Sequence, residues 1–226
     1  MIHHLPVYLS IAFILVTIIT FLFLYKAGIK TKQALFIIMI WLVFQALLAF
    51  NGFYKITDTM PPRFILMIMP PVLLILLLFF SAKGRLFIDN LNIRWLTWLH
   101  VVRIPVEFVL LGLFIHKQIP QLMTFEGKNF DIISGITAPL IAWLGFHKRY
   151  LNKKILIGWN FACLALLFII VVLAVLSLPV PFQQMAFDQP NVAVMYFPFV
   201  WLPAFVVPVV LFAHLVTIRQ LLKPGR

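Results

Sequence analysis

The run Trp95-Leu-Thr-Trp-Leu-His-Val-Val-Arg-Ile-Pro-Val-Glu-Phe-Val-Leu-Leu-Gly-Leu-Phe-Ile115 decides how this chain is read. It is long enough for a helix to cross the hydrocarbon core of a bilayer, which takes roughly 20 apolar residues. Yet it carries Arg103 and Glu107 near its middle. Ionisable groups at that depth are costly, so they face a bundle interior and mark a candidate functional site. Its setting agrees: of 226 residues, 64% are hydrophobic and 11% charged, with a mean hydropathy of +1.09. Soluble domains have about 25% charged residues.

Six further apolar runs flank this one. Spans are expected at about 5–25, 34–50, 64–81, 95–115, 131–147, 155–178 and 192–218, giving an all-α polytopic membrane protein with one seven-helix transmembrane domain over residues 1–226. The first run is too long for a signal-peptide core and has no small-residue cleavage site, so it is read as a span. Alternating short segments, the mark of a transmembrane β-barrel, are absent.

Charge sorts the connections. Lys26, Lys30, Lys32, Lys83, Arg85, Arg94, Lys148, Arg149, Lys153, Lys154, Arg219, Lys223 and Arg226 fall on one side. The opposite side has only Lys55, Arg63, Lys117 and Lys128. The positive-inside rule then places the N-terminus outside and the C-terminus in the cytoplasm, as in the inner membrane of a bacterium. The net charge of +12 is therefore read as a topology signal facing the lipid bilayer, with no nucleic-acid partner. Trp95, Trp98, Trp143, Trp159, Tyr25 and Tyr150 sit near the positive side, and Tyr8, Tyr54 and Tyr196 near the other, as an aromatic belt requires.

Prolines interrupt three spans. Pro70-Pro71 predicts a kink or break in the third, and Pro105 separates Arg103 from Glu107. Pro198, Pro203 and Pro208 punctuate the seventh. Each removes a backbone donor, and freed backbone is tolerated only where protein buries it or it lines a cavity.

His100, Arg103 and Glu107 are three and four residues apart, on one helix face. Arg103 lies nine residues beyond Arg94, about 13 Å deep at about 1.5 Å per residue. Glu107 is one turn deeper, so an i,i+4 ion pair is the expected arrangement. The Val101 carbonyl, freed by Pro105, is a further acceptor for Arg103. Asn160 and His214 reach similar depth and complete a candidate ligand or ion pathway of Arg103, Glu107, His100, Asn160 and His214. Arg103 would serve as anion partner or charge relay, and Glu107 as counter-ion or proton carrier. Paired histidines also suit a haem or metal, although interhelical hydrogen bonds are their ordinary use.

On the outer side, Glu126, Asn129, Asp131 and Asp188 form a candidate polar vestibule, to which His3, His4, His116, Asn51, Gln183, Gln184 and Asn191 can add. Asp131 or Asn129 is expected to cap the fifth helix, with Ser134, Gly135 and Thr137 allowing close packing behind it.

No phosphate-binding glycine loop, His-Glu-x-x-His motif or serine elbow is present. The single cysteine, Cys163, excludes an intrachain disulfide. The last span has no lysine before Lys223, which excludes a retinal Schiff base there. The expected function is transport or binding of a small molecule or ion at an intramembrane site on the fourth span. Two alternatives stand beside it: an intramembrane enzyme for a lipid-like substrate, and an assembly subunit of a membrane complex.

Overall fold

A computed structural model describes residues 2, 5–148 and 150–223, and these contain helices, turns and no strand. His3, His4, Arg149 and Arg226 lie outside the described residues.

The helices are α1 (Val7–Ala27), α2 (Lys32–Phe50), α3 (Ile65–Phe80), α4 (Ala82–Asp89), α5 (Ile93–Leu99), α6 (Arg103–Ile115), α7 (Ile132–Ile141), α8 (Lys153–Leu176) and α9 (Val207–Leu222). A 3-10 turn, His100–Val102, joins α5 to α6. π-helical turns, Ala142–His147 and Leu202–Val206, extend α7 and precede α9. Five helical segments are long and apolar enough to cross a membrane: Val7–Ala27, Lys32–Phe50, Ile93–Ile115, Lys153–Leu176 and Leu202–Leu222. The bent pair α3–α4 is a sixth candidate, and Ile132–His147 is a shorter apolar helix.

The central element is α9, buried along nearly its whole length. α5 and α8 pack against α9, α1 packs along α5 and α6, and α7 lies across the α5–α6 junction. α1 is apolar on every side. Ile11, Leu15, Ile18 and Leu22 are exposed, whereas Leu9, Phe13, Val16 and Leu24 are buried. An apolar outer face is what lipid accepts, so association depends on close packing and specific polar contacts. Gly135 provides one such approach. A Cβ there would sit 2.8 Å from Ile104 Cγ1 and 3.3 Å from Arg103 Cβ, so the missing side chain lets α7 reach α6.

Connections gather at two ends. At one end the Asn92 N–H donates to the Ala27 carbonyl, Gln220 Nε2 donates to the carbonyls of Ile88 and Leu91, and Lys153 Nζ donates to the Lys223 carbonyl. At the other, the N–H groups of Val192 and Ala193 donate to the Gln118 carbonyl, and Gln189 Nε2 donates to the carbonyls of Phe114 and Ile119.

The prolines behave differently from expectation. α3 runs unbroken through Pro70-Pro71, and the sharp bend of 92° falls at Ser81, between α3 and α4. Ser81 accepts the Gly84 N–H and caps α4, a helix in what the sequence presents as a cytoplasmic loop. The continuity of α3 has a local cause: Pro70 offers no N–H to the Leu66 carbonyl, and Gln45 Nε2 of α2 donates to that carbonyl instead, at 3.5 Å. The same substitution recurs one turn earlier on α2. The Ala204 carbonyl, which Pro208 leaves without its helical donor, receives Trp41 Nε1–H at 2.8 Å. Trp201 Nε1–H returns a bond to the Leu42 carbonyl at 2.9 Å. Two side chains of α2, four residues apart, thus satisfy backbone freed by prolines on two other elements. In the seventh apolar run, continuous helix begins only with the π turn at Leu202, after a 3-10 turn at Ala193–Met195, and regular α-helix at Val207.

Candidate functional site

The polar groups of the bundle meet in one buried network. Arg103 leaves the start of α6 and donates from Nη1 to Asp131 Oδ1 at 2.8 Å, and from the same nitrogen to the Cys163 carbonyl of α8 at 3.5 Å. Its Nη2 lies 3.1 Å from His214 Nε2 of α9. The expected Arg103–Glu107 ion pair does not form, and the guanidinium does not use the Val101 carbonyl. A partner on a second helix competes better, because it also fills the gap between the two helices. The Arg103 and Asp131 side chains are 3% and 8% exposed, so each neutralises a charge that would otherwise be stranded.

This contact fixes the hydrogens further along. A guanidinium has donors only, so His214 Nε2 accepts. Nδ1 therefore carries the ring proton and donates to Asn160 Oδ1 at 2.8 Å. Asn160 Nδ2 donates to the Leu156 carbonyl at 2.8 Å, which orients its oxygen toward His214. His100 lies flat on His214, ring centroids 3.8 Å apart and 17° from parallel, with Trp159 edge-on at 5.6 Å. Trp159 Nε1 in turn donates to Thr137 Oγ1 at 2.9 Å. Both His214 nitrogens are committed, and the two imidazoles stack face to face, a geometry unlike paired axial ligation of a haem or metal. Among the described residues no group of three His, Cys, Asp or Glu side chains is placed to hold a metal ion.

The second half of the network comes from the outer connection. Residues 116–131 fold into the bundle, burying Met123, Thr124, Asn129 and Asp131. Asn129 Nδ2 donates to Glu107 Oε1 at 2.6 Å and to the Met123 carbonyl at 3.0 Å, while its Oδ1 accepts the Asp131 N–H at 3.0 Å. Asn129, and not Asp131, therefore serves the start of α7, whose N-cap residue Asp131 makes no side-chain cap bond. This inward fold shortens α7 and brings Asp131 to the level of Arg103. It also corrects the outer vestibule: Asn129 and Asp131 belong to the same buried network as Arg103, His214 and Asn160. Glu126 and Asp188 stay on the surface. His116 bonds the Gly112 carbonyl and Gln183 the carbonyls of Met185 and Ala186, while Asn51 and Gln184 are exposed.

Beside Glu107 lies a cavity of about 360 Å³ between α3, α6, α8 and α9. Its walls are aliphatic and aromatic, Met67, Leu110, Leu164, Leu167, Val171 and Leu211 among them, and they include Pro203 of the π turn and Pro208. The polar side chains on the wall are Glu107, Asp131 and Asn191. Glu107 is 2% exposed and Asn191 1%, and Glu107 Oε2 and Asn191 Oδ1 have no hydrogen-bond partner in the chain. The exposed Phe168 also lines the cavity, which thereby reaches the apolar outer surface beside α8. Binding cavities combine largely apolar walls with a few placed polar groups in this way. The sequence singled out Asn191 only as an outer polar residue. The wall itself carries no sequence signal, since its leucines and valines match those facing lipid.

No curated protein and no solved structure matches this chain. Residues 60–222, more than two thirds of its length, match a family model described as "Domain of unknown function (DUF8737)". That stretch holds every residue of the buried network and the cavity wall but excludes α1 and α2. The chain belongs to this DUF8737 family.

Proposed function

We propose that this chain is an integral membrane protein that binds a small amphipathic molecule drawn from the bilayer, with Glu107 at the polar end of the binding cavity. The observation that carries this reading is the Glu107 carboxyl group, enclosed in the bundle on the wall of an otherwise apolar cavity, with one oxygen held by Asn129 and the other without a partner in the chain. A buried polar atom without a partner costs about 1–3 kcal/mol, and a ligand that pairs with it recovers that cost. The Arg103–Asp131–His214–Asn160 chain serves as the rigid back wall. It holds α6, α7, α8 and α9 in register and positions Glu107 through Asn129. Transport across the bilayer is the extension of this reading in which the bound molecule leaves toward the opposite face.

In this reading the chain crosses the membrane seven times, with α3, which ends at the bend at Ser81, and the short α7 helix as the third and fifth spans. The N-terminus lies outside, the lysine-rich connections and C-terminus in the cytoplasm. The enzyme alternative draws on one observation, that two carboxyl groups, Glu107 and Asp131, line the same cavity.

The test is photolabelling of the purified protein in nanodiscs with a medium-chain alcohol carrying a diazirine on its tail. The expected result is labelled peptides from α3, α8 and α9 at the cavity wall, suppressed in Leu167→Trp, which fills the cavity. Labelling confined to lipid-facing residues such as Ile11 and Leu15, and unchanged in Leu167→Trp, overturns the reading.

A further inference from the structure

The polar side chains on the cavity wall present acceptors, and the amide donors on and beside that wall are already used. Asn191 Nδ2 donates to the Ala174 carbonyl at 3.2 Å. A carbonyl faces only a donor, so this bond fixes the amide orientation and leaves Oδ1 as the unpartnered atom. Asn129 is fixed in the same way, with Nδ2 on the Met123 carbonyl and Glu107, and Oδ1 on the Asp131 N–H. Arg103 is the cation of the site, and it is directed away. Both of its terminal nitrogens are engaged with Asp131, the Cys163 carbonyl and His214, and the residue is not part of the cavity wall. What remains without a partner among the wall residues is a carboxyl oxygen of Glu107 and an amide oxygen of Asn191, beside the second acidic side chain, Asp131.

We infer that the cavity selects its ligand by headgroup polarity: it takes an apolar molecule headed by a hydroxyl or a primary amine, and rejects one headed by a carboxylate or phosphate. A hydroxyl or amine donates to Glu107 Oε2 and to Asn191 Oδ1, the two buried atoms of the wall residues that lack partners. An anionic head meets two acidic side chains and an amide oxygen, with no cationic side chain on the wall, and its desolvation is not compensated. A quaternary ammonium has no N–H and forfeits both bonds. Selection works by leaving the wrong head unpaired, a strong form of discrimination in a dry site.

This inference rests on the binding role proposed for the cavity, and the experiment separates the two. Tail-diazirine probes of one chain length, headed by a hydroxyl, primary amine, carboxylate or trimethylammonium, are compared with the headless alkane on the intact protein in nanodiscs. The expected result is wall labelling by the alcohol and the amine at concentrations at least about tenfold lower than for the other three, the equivalent of one lost buried hydrogen bond. Glu107→Gln is expected to weaken the amine more than the alcohol, because it removes the charge and keeps an oxygen. Equal labelling by the carboxylate, or by the alkane, overturns the headgroup inference while the cavity stands as an apolar binding site. Absence of wall labelling by all five probes overturns the binding role itself. If Glu107→Gln does not fold, the five-probe comparison on the unaltered protein decides alone.

Discussion

Arg103 and Asp131, 28 positions apart in the chain, meet at 2.8 Å in a site where both are almost wholly enclosed. Breaking a buried pair from one side leaves the other charge stranded, at about 3–5 kcal/mol, whereas removing both charges costs far less. Arg103→Ala and Asp131→Ala are therefore each expected to lower thermal stability in detergent sharply. The Arg103→Ala/Asp131→Ala double variant is expected to be more stable than the sum of the two losses predicts. Additive losses in a double-mutant cycle would show that the two residues act independently.

Trp41 stands in for the backbone donor that Pro208 lacks. Trp41→Phe leaves the Ala204 carbonyl without a partner, with an expected loss of about 1–3 kcal/mol. Pro208→Ala restores an N–H at the helical position, so Trp41→Phe in that background should cost markedly less. Thermal melts of the four proteins measure the difference. An identical cost in both backgrounds would refute the substitution of donors.

Asp89 ties α4 to the end of α9 by bonds from Arg219 at 3.0 and 3.2 Å and from Lys223. The Arg219 hydrogen bond, foremost among these contacts, holds the Asp89 carboxyl below its ordinary value of 3.8. A depressed folded value stabilises the native state fully above the unfolded value and is lost as pH falls through the folded one. Melting temperature should therefore drop on acidification below about pH 4 through this contact. The drop should be smaller in Asp89→Asn, which starts from a lower plateau. A pH profile unchanged by Asp89→Asn would remove the clasp from the account.

Orientation is testable with the single native cysteine, Cys163, which is buried. A cysteine placed at exposed Asp188 should react with a membrane-impermeant maleimide in intact cells. One placed at exposed Lys83 should react only after lysis. The reverse pattern would invert the proposed topology.

Hydrophobic run length made the long helices legible, because a span needs about 20 apolar residues whatever their order. Which face of each helix looks inward was not legible. α1 has large apolar side chains on its exposed face, Ile11 and Leu15, and on its buried face, Leu9 and Phe13, so it lacks the amphipathic stripe of a soluble helix. α4 read as a charged loop, and its helix depends on the Ser81 cap and the anchoring of Asp89. At the site, the depth of His100, Arg103, Asn160 and His214 followed from counting residues, and those four do meet. The partner of Arg103 did not follow, because i,i+4 spacing makes Glu107 look sufficient. Nothing local announces that residues 116–131 turn into the bundle and deliver Asn129 and Asp131. The absence of a break at Pro70-Pro71 was illegible for a similar reason: the compensating donor, Gln45, is supplied by a different helix.

The central claim is that Glu107 forms the polar end of a binding cavity. The most direct measurement is mass spectrometry of the small molecules that stay with the protein through purification, compared for wild type, Glu107→Leu and Leu167→Trp. The account predicts one class of apolar molecule bearing a hydroxyl or amine, held at about one per chain by the wild type and lost from both variants. An identical set of bulk lipids on all three proteins would contradict it.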